Sequence, residues 1–317
     1  MFWLLAALGL VILLLAGDAL VKGAVNLSLR LGVPAMIVSL TIVAFGTSAP
    51  ELLIAISAVL DDAPGIALGN VVGSNTANIL LVLGVPALLA PLHTSQCDTR
   101  KNYRLMILGT VLFIALAFFG PFTWIHGLVL LGALSYVLFG SAKEAHRHRK
   151  KCCDDETSDV EELEEADPDM SGGMIAFYLI LGLIGLPLGA DLLVDSAIEI
   201  AHVFNVSETV IGLTLVAVGT SLPELATAIM ATLRRQADVA LGNVIGSNMF
   251  NLLAIIGVAS FVGPIPVAHS IMQFDIWIML GASLLLFPFV YLRWDLSRRW
   301  GVLFCALYAA YLFIVVS

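Results

Sequence analysis

Long apolar runs separated by short polar stretches set the pattern of this chain. A membrane-spanning helix needs about 20 mostly apolar residues. Runs of that kind predict ten helices, over residues 2–21, 35–60, 66–90, 105–120, 122–141, 173–197, 206–232, 239–262, 271–292 and 299–316. The fourth and fifth share a tight turn at Gly120–Pro121. The opening run, MFWLLAALGLVILLLAGDAL, has no basic segment before it and so reads as the first span, not a signal peptide. Composition agrees with the pattern. The chain is 60% hydrophobic and 12% charged, where a soluble domain carries about 25% charged residues. The expected class is an all-α membrane protein.

Charge adds orientation. All 15 Lys and Arg residues lie in or beside the first, third, fifth, seventh or ninth loop. Basic residues mark the cytoplasmic side, so both termini are expected outside and the loop at 142–172 inside. That loop runs from KEAHRHRKK to DDETSDVEELEEADPD. It has too few apolar residues for a core and is expected to be disordered. Its basic flank suits anionic lipid. Its acids read as a solvated linker, with weak calcium sensing as the lesser alternative. The expected organisation is a first repeat at 1–141, this loop at 142–172, and a second repeat at 173–317. No basic stripe for nucleic acid is present. Cys97, Cys152, Cys153 and Cys305 have neither zinc-site nor disulfide-framework spacing and read as free thiols.

The apolar pattern also repeats. Residues 33–84 align without a gap on 206–257, and about half of the positions are identical. GTSAPE at 46–51 matches GTSLPE at 219–224, and ALGNVVGSNTANIL matches ALGNVIGSNMFNLL. Asp18 lands on Asp191. Each unit holds five predicted helices. An odd number sends the second copy into the membrane from the opposite side, so the two five-helix repeats are expected to be inverted. Secondary transporters commonly have this architecture, with the site near the midplane where the repeats meet.

Pro50 has no N–H to offer the carbonyl four residues back, and Gly46 permits local unwinding there. A carbonyl freed inside a membrane needs a partner. Glu51 costs about 3 kcal/mol at a helix centre on insertion scales. No Lys or Arg falls in a predicted helix core, so a cation or a proton remains. Thr47 and Glu51 share a helix face, as do Ser74 and Asn78. Ser48 adds a hydroxyl, and Gly69 and Gly73 are expected to let helices approach closely. The second copy supplies Thr220, Ser221, Glu224, Ser247 and Asn251. Such an oxygen-only set suits hard cations such as Ca²⁺ and Na⁺, not Zn²⁺ or copper. Asn70, Asn75, Asn243 and Asn248 are expected only to bond or cap, outside the ion set. Asp18 is expected near a helix end, paired with Lys22.

At these residues the chain resembles the sodium/calcium exchanger family, of the calcium/cation antiporter superfamily, in a prokaryotic-type form. The resemblance covers nearly everything outside 142–172. It rests on GTSAPE, GTSLPE and the two GSN-x-x-N segments, which are similar to the family's alpha repeats. It implies a calcium site made by Glu51, Glu224 and the carbonyls of Thr47 and Thr220. It implies sodium positions made by the carbonyls of Ala44 and Ala217 with Thr47, Ser48, Glu51, Ser74, Thr220, Ser221, Glu224 and Ser247. Asn78 and Asn251 are supporting amides. The first and sixth helices are implied to slide across the rest. Some members carry an aspartate where this chain has Asn251, so the central charge here comes from the two glutamates alone.

The leading expectation is therefore Na⁺/Ca²⁺ antiport by a monomer in a cell membrane, without a cofactor. The resemblance implies sodium over proton coupling, because the family's proton-coupled branch usually replaces the Thr–Ser hydroxyls that this chain keeps in GTS. Proton- or potassium-coupled exchange by the same fold is the near alternative, and a channel is more distant because the site is complete within one chain. Nothing suggests an enzyme: no nucleophile–base pair or metal triad is present. One axial position between the glutamates and two flanking neutral-oxygen positions lead to an expectation of three Na⁺ per Ca²⁺.

Overall fold

The computed structural model describes residues 2–94, 97, 99–154, 167, 169–204 and 217–316. The described fold is helical throughout apart from short links. In chain order the helices are α1 (Phe2–Leu31), α2 (Ala35–Thr47), α3 (Ala49–Leu60), α4 (Pro64–Leu89), α5 (Arg100–Ala117) and α6 (Trp124–Asp154). They continue as α7 (Gly172–Val203), α8 (Leu222–Leu233), α9 (Ala237–Val262), α10 (Ile271–Tyr291) and α11 (Arg298–Val316). A single helical turn at Ala217–Gly219 precedes α8.

Seven of these are long and apolar enough to cross a membrane, and the bent pair α2–α3 makes an eighth. The other two expected spans are α5 and the one at 206–232. α5 opens with Arg100, Lys101 and Arg104. Of 206–232, residues 206–216 lie outside the described residues and α8 is the main described part.

α4 and α9 form the centre, with 78% and 83% of their most apolar stretch buried. α2 lies on α9, where the Ser39 hydroxyl donates to the Val239 carbonyl at 2.6 Å. α1 and α7 pack against each other in antiparallel directions along paired glycines. A Cβ at Gly9 would stand 2.8 Å from the Leu193 nitrogen, and one at Gly182 would stand 2.9 Å from the Ala16 carbonyl. Small residues replace hydrophobic driving force where helices meet in lipid.

Several helices outrun their apolar stretches. α1 was expected to end at 21 but continues to Leu31, and Gly32 ends it at φ 63°. Its added polar residues are all engaged. Lys22 lies 4.9 Å from the centre of the Tyr178 ring, the Asn26 side-chain amide oxygen accepts the Asp167 N–H, and Arg30 donates to the Met170 carbonyl. α6 likewise stays helical to Asp154, beyond the expected end at 141. The acidic stretch 155–166 lies outside the described residues.

Local conformation repeats with the sequence. Ser48 (φ −85°, ψ 5°) and Ser221 (φ −89°, ψ 3°) occupy matching breaks, and each precedes a 12-residue helix with proline in its first turn. Asp62 and Arg235, with φ 56° and 55°, end those helices at matching positions.

Candidate functional site

The break before Pro50 bends α3 by 41° from α2. It sets Thr47 and Ser48 at the end of one helix and Glu51 in the first turn of the next. Gly46 stays helical. A Cβ there would collide with the Leu183 side chain, so this glycine serves the contact with α7 more than unwinding. In the second half, Thr220 and Ser221 precede α8, and Glu224 lies in its first turn.

α4 and α9 bring the remaining polar residues to these breaks. Glu51 and Glu224 are 1% and 0% exposed. The Ser48 hydroxyl donates to Glu224 Oε1 at 3.3 Å, and the Ser247 hydroxyl donates to the same oxygen at 3.4 Å. The Thr47 hydroxyl lies 3.3 Å from Asn243 Oδ1 and 3.5 Å from the Ser247 hydroxyl. The counterparts match: the Thr220 hydroxyl lies 3.4 Å from Asn70 Oδ1 and 3.5 Å from the Ser74 hydroxyl. Asn78 Nδ2 donates to Asn248 Oδ1 at 3.1 Å.

Several of the buried acceptors without a hydrogen-bond partner belong to the same constellation. They include both Glu51 oxygens, Glu224 Oε2, Ser221 Oγ, and the amide oxygens of Asn78 and Asn251. A buried polar group left unpaired costs about 1–3 kcal/mol, and more when charged. Among the described residues no basic side chain pairs with either glutamate, and no cluster of three or more His, Cys, Asp or Glu forms. The arrangement can therefore hold a cation with two carboxylates and a shell of neutral oxygens.

The structure brings together Thr47, Ser48, Glu51, Ser74, Asn78, Thr220, Ser221, Glu224, Ser247 and Asn251. Ala44 is adjacent, but its carbonyl is not bare: it accepts the Ser48 N–H at 3.1 Å and the Thr47 hydroxyl at 3.3 Å. At the counterpart, the Ser221 N–H turns to Val218 instead, so Ala217 is placed differently from Ala44.

Of the two roles expected for Asn70, Asn75, Asn243 and Asn248, bonding is the one that occurs: α4 and α9 follow Ala63 and Gln236 with no side-chain cap, and Asn70 and Asn243 bond the site threonines directly. The spacing that puts them one turn from Ser74 and Ser247 carried that signal. Close approach occurs at Gly242 and Gly246; for Gly69 and Gly73 the counterparts of Met36 and Leu40, positions 209 and 213, lie outside the described residues. A Cβ at Gly242 would stand 2.9 Å from the Met36 carbonyl, whereas Gly69 and Gly73 have no described atom within 4 Å. Asp18 sits mid-helix in α1 and pairs with Arg234, not Lys22, because α1 continues past it and lies on α8.

The fold defines an all-helical, polytopic membrane protein. The family model for sodium/calcium exchanger proteins matches residues 1–142 and 174–317; the chain belongs to that family, among the cation/Ca²⁺ antiporters. Among its relatives is the sodium/calcium exchanger MaX1 of Methanosarcina acetivorans, 35% identical over 99% of this chain and 98% of that protein. Another is the inner membrane protein YrbG of Escherichia coli, 34% identical over 94% of this chain and 90% of that one. The fold is similar to that of the sodium-calcium exchanger NCX_Mj soaked with Na⁺ and Sr²⁺. That match has a TM-score of 0.82 and 33% identity, covering 100% of this chain and 98% of that chain.

Proposed function

We propose that this chain exchanges Na⁺ for Ca²⁺ across a cell membrane by alternating access, at a midplane site between Glu51 and Glu224. One observation carries the reading. Carboxylates from the two halves of the chain share one buried, oxygen-only constellation, joined by the Ser48–Glu224 bond at 3.3 Å, with no basic partner. Ca²⁺ sits between Glu51 and Glu224 with the carbonyls of Thr47 and Thr220. Na⁺ uses these groups together with Ser48, Ser74, Ser221, Ser247 and the carbonyls of Ala44 and Ala217. Asn78 and Asn251 support the centre.

In this reading ten spans form two inverted five-helix repeats, with both termini outside and 142–172 in the cytoplasm. Two links between loops support it. Leu92 pairs with Leu296, and Phe122 pairs with Ile265, each through reciprocal backbone bonds of 2.9–3.1 Å. The first joins two loops that the Lys/Arg pattern puts inside, and the second joins two that it puts outside. Shifted by the repeat offset, one link falls on the other to within one residue. The antiparallel pair α1–α7 is the element that slides. The site is complete within one chain, so a monomer suffices.

The test is uptake of radiolabelled Ca²⁺ by purified protein in liposomes. An outward Na⁺ gradient is expected to drive it. Uptake driven instead by a proton or potassium gradient, with Na⁺ inert, would replace the sodium reading.

A further inference from the structure

A carboxylate outside the central constellation stands on the way to it. A cavity of about 400 Å³ lies between α4, α10 and α11. Its wall descends along α4 from Ile66, near the start of that helix, through Asn70 to Ser74, and it reaches Thr220. It therefore ends on two hydroxyls of the central constellation, 3.5 Å apart. Asp275 is the one acidic residue among the described residues that line it.

Asp275 is held in place. It closes a wide π-helical turn, Ile271–Asp275, at the start of α10. Such turns are rare and gather at functional sites. The Tyr311 hydroxyl, from α11, donates to Asp275 Oδ1 at 3.0 Å. That bond fixes the carboxylate on the wall and neutralises none of its charge. No basic residue is among the described residues that line the cavity.

The counterpart position in the other half carries no carboxylate. At the repeat offset Asp275 falls on Asn102, a buried amide whose nitrogen reaches the Met36 sulfur at 3.7 Å. Ten of the central residues come in matched pairs, so an unmatched carboxylate on one approach acts on one face of the membrane only.

We infer that Asp275, positioned by Tyr311, is a recruiting site for a partly hydrated divalent cation on the face where α4 begins. One fixed negative charge in a narrow, low-dielectric cleft raises the local concentration of cations, and a divalent ion gains twice what Na⁺ gains. The hydroxyls of Ser74 and Thr220 then take over from water as the ion moves on. This inference rests on the antiport reading for its role in transport, but binding at Asp275 can be measured without transport.

The first experiment measures Ca²⁺ dependence of exchange separately at each face, in vesicles of known orientation. Asp275→Asn is expected to raise the apparent KM for Ca²⁺ roughly tenfold at the α4-start face, the low end of the range for charge-lined clefts. The KM at the opposite face and the maximal rate stay unchanged. Tyr311→Phe gives a smaller rise at the same face, because the charge remains and only its position loosens. Extra ionic strength from an inert salt narrows the difference between wild type and Asp275→Asn. An unchanged KM at that face, or an equal rise at both faces, overturns the proposal while leaving antiport intact. Absence of any Na⁺- or proton-driven Ca²⁺ flux in wild type overturns the antiport reading instead.

The second experiment uses Tb³⁺ as a luminescent probe of Ca²⁺ sites in detergent-solubilised protein. The Glu51→Gln/Glu224→Gln background removes the central charge. Tyr308 and Tyr311 both line the cavity and can sensitise a bound Tb³⁺. A Ca²⁺-displaceable signal that disappears on adding Asp275→Asn supports the site. A signal indifferent to that change overturns it, whatever the transport result.

Discussion

The side-chain amide of Asn75 donates to the backbone carbonyl of Asn248 at 3.3 Å, and these two residues are counterparts 173 positions apart. Counterparts meet where a two-fold axis passes between them, as in a self-complementary interface. The neighbouring contacts follow the same rule. Asn75 Nδ2 lies 3.8 Å from the Met279 sulfur, and Asn248 Nδ2 lies 3.9 Å from that of Met106. Thr47–Ser247 and Ser74–Thr220 are a second such pair, at 3.5 Å each. The pattern supports the inverted-repeat reading. It fails at the carboxylates: Glu224 holds two hydroxyl bonds, whereas Glu51 and Ser221 hold none.

The carboxylates give the first prediction. Glu51→Gln and Glu224→Gln keep the shape of the site and remove half its charge. Breaking a buried charge pairing by removing one partner costs about 3–5 kcal/mol, so Na⁺-driven Ca²⁺ uptake is expected to fall at least about a hundredfold. Both variants should elute as folded, monodisperse protein. Near-normal uptake in either one would place Ca²⁺ elsewhere.

Voltage gives the second. With Asn251 in place of a third acid, one Ca²⁺ balances the two glutamates, and three Na⁺ leave one excess charge on neutral dipoles. Exchange at three to one moves one net charge per cycle, worth about 2.3 kcal/mol per 100 mV. Na⁺-loaded liposomes clamped with K⁺ and valinomycin should accumulate more Ca²⁺ when the inside is positive, because each cycle carries one net positive charge outward. Equal accumulation at both polarities means electroneutral exchange of two for one.

Packing gives the third. A Cβ at Gly246 would collide with the Leu40 carbonyl and stand 2.6 Å from the Ala44 Cβ. Neither neighbour can rotate away, because one is backbone and the other a methyl fixed to it. Gly246→Ala is expected to lower stability by about 1–3 kcal/mol. Gly132→Ala, where no atom lies within 4 Å, should be neutral or slightly stabilising. Thermal melts of the detergent-solubilised variants decide it, and equal midpoints would remove the close α2–α9 contact from the account.

Much of this was legible beforehand, for identifiable reasons. Pro50 and Pro223 stand at fixed offsets beside a glutamate, and no soluble or lipid-facing helix has use for that combination. Helix lengths were less legible. Hydropathy reports where apolar residues stop, and α1 continues because Lys22, Asn26 and Arg30 find partners that a hydropathy window does not see. The roles of Asn70 and Asn243 were hidden because their partners, Thr220 and Thr47, lie in the other half of the chain. Asp18 was misread for the same reason: its nearest basic residue in sequence is Lys22, and its partner in space is 216 residues away.

That partner supplies the last prediction. α1 lies on α8, where a Cβ at Gly17 would stand 3.0 Å from the Ala226 carbonyl. The counterpart contact, α7 on α3, is not made there: Leu53, the counterpart of Ala226, is 67% exposed, and Asp61, the counterpart of Arg234, is exposed. If access alternates by the two halves exchanging conformations, α7 comes onto α3 in the other state. Asp191 then approaches Asp61, and the Asp18–Arg234 pair opens. That pair is about a quarter exposed on each side, so it is worth about 1 kcal/mol at most, or about fivefold in population. Asp18→Asn should accordingly speed disulfide formation between cysteines placed at Asp61 and Asp191 about fivefold, in a background lacking the native cysteines. The exchanged pair, Asp18→Arg with Arg234→Asp, should return the rate to that of the parent. Identical cross-linking rates in all three proteins would show that the ion pair has no part in choosing between the states.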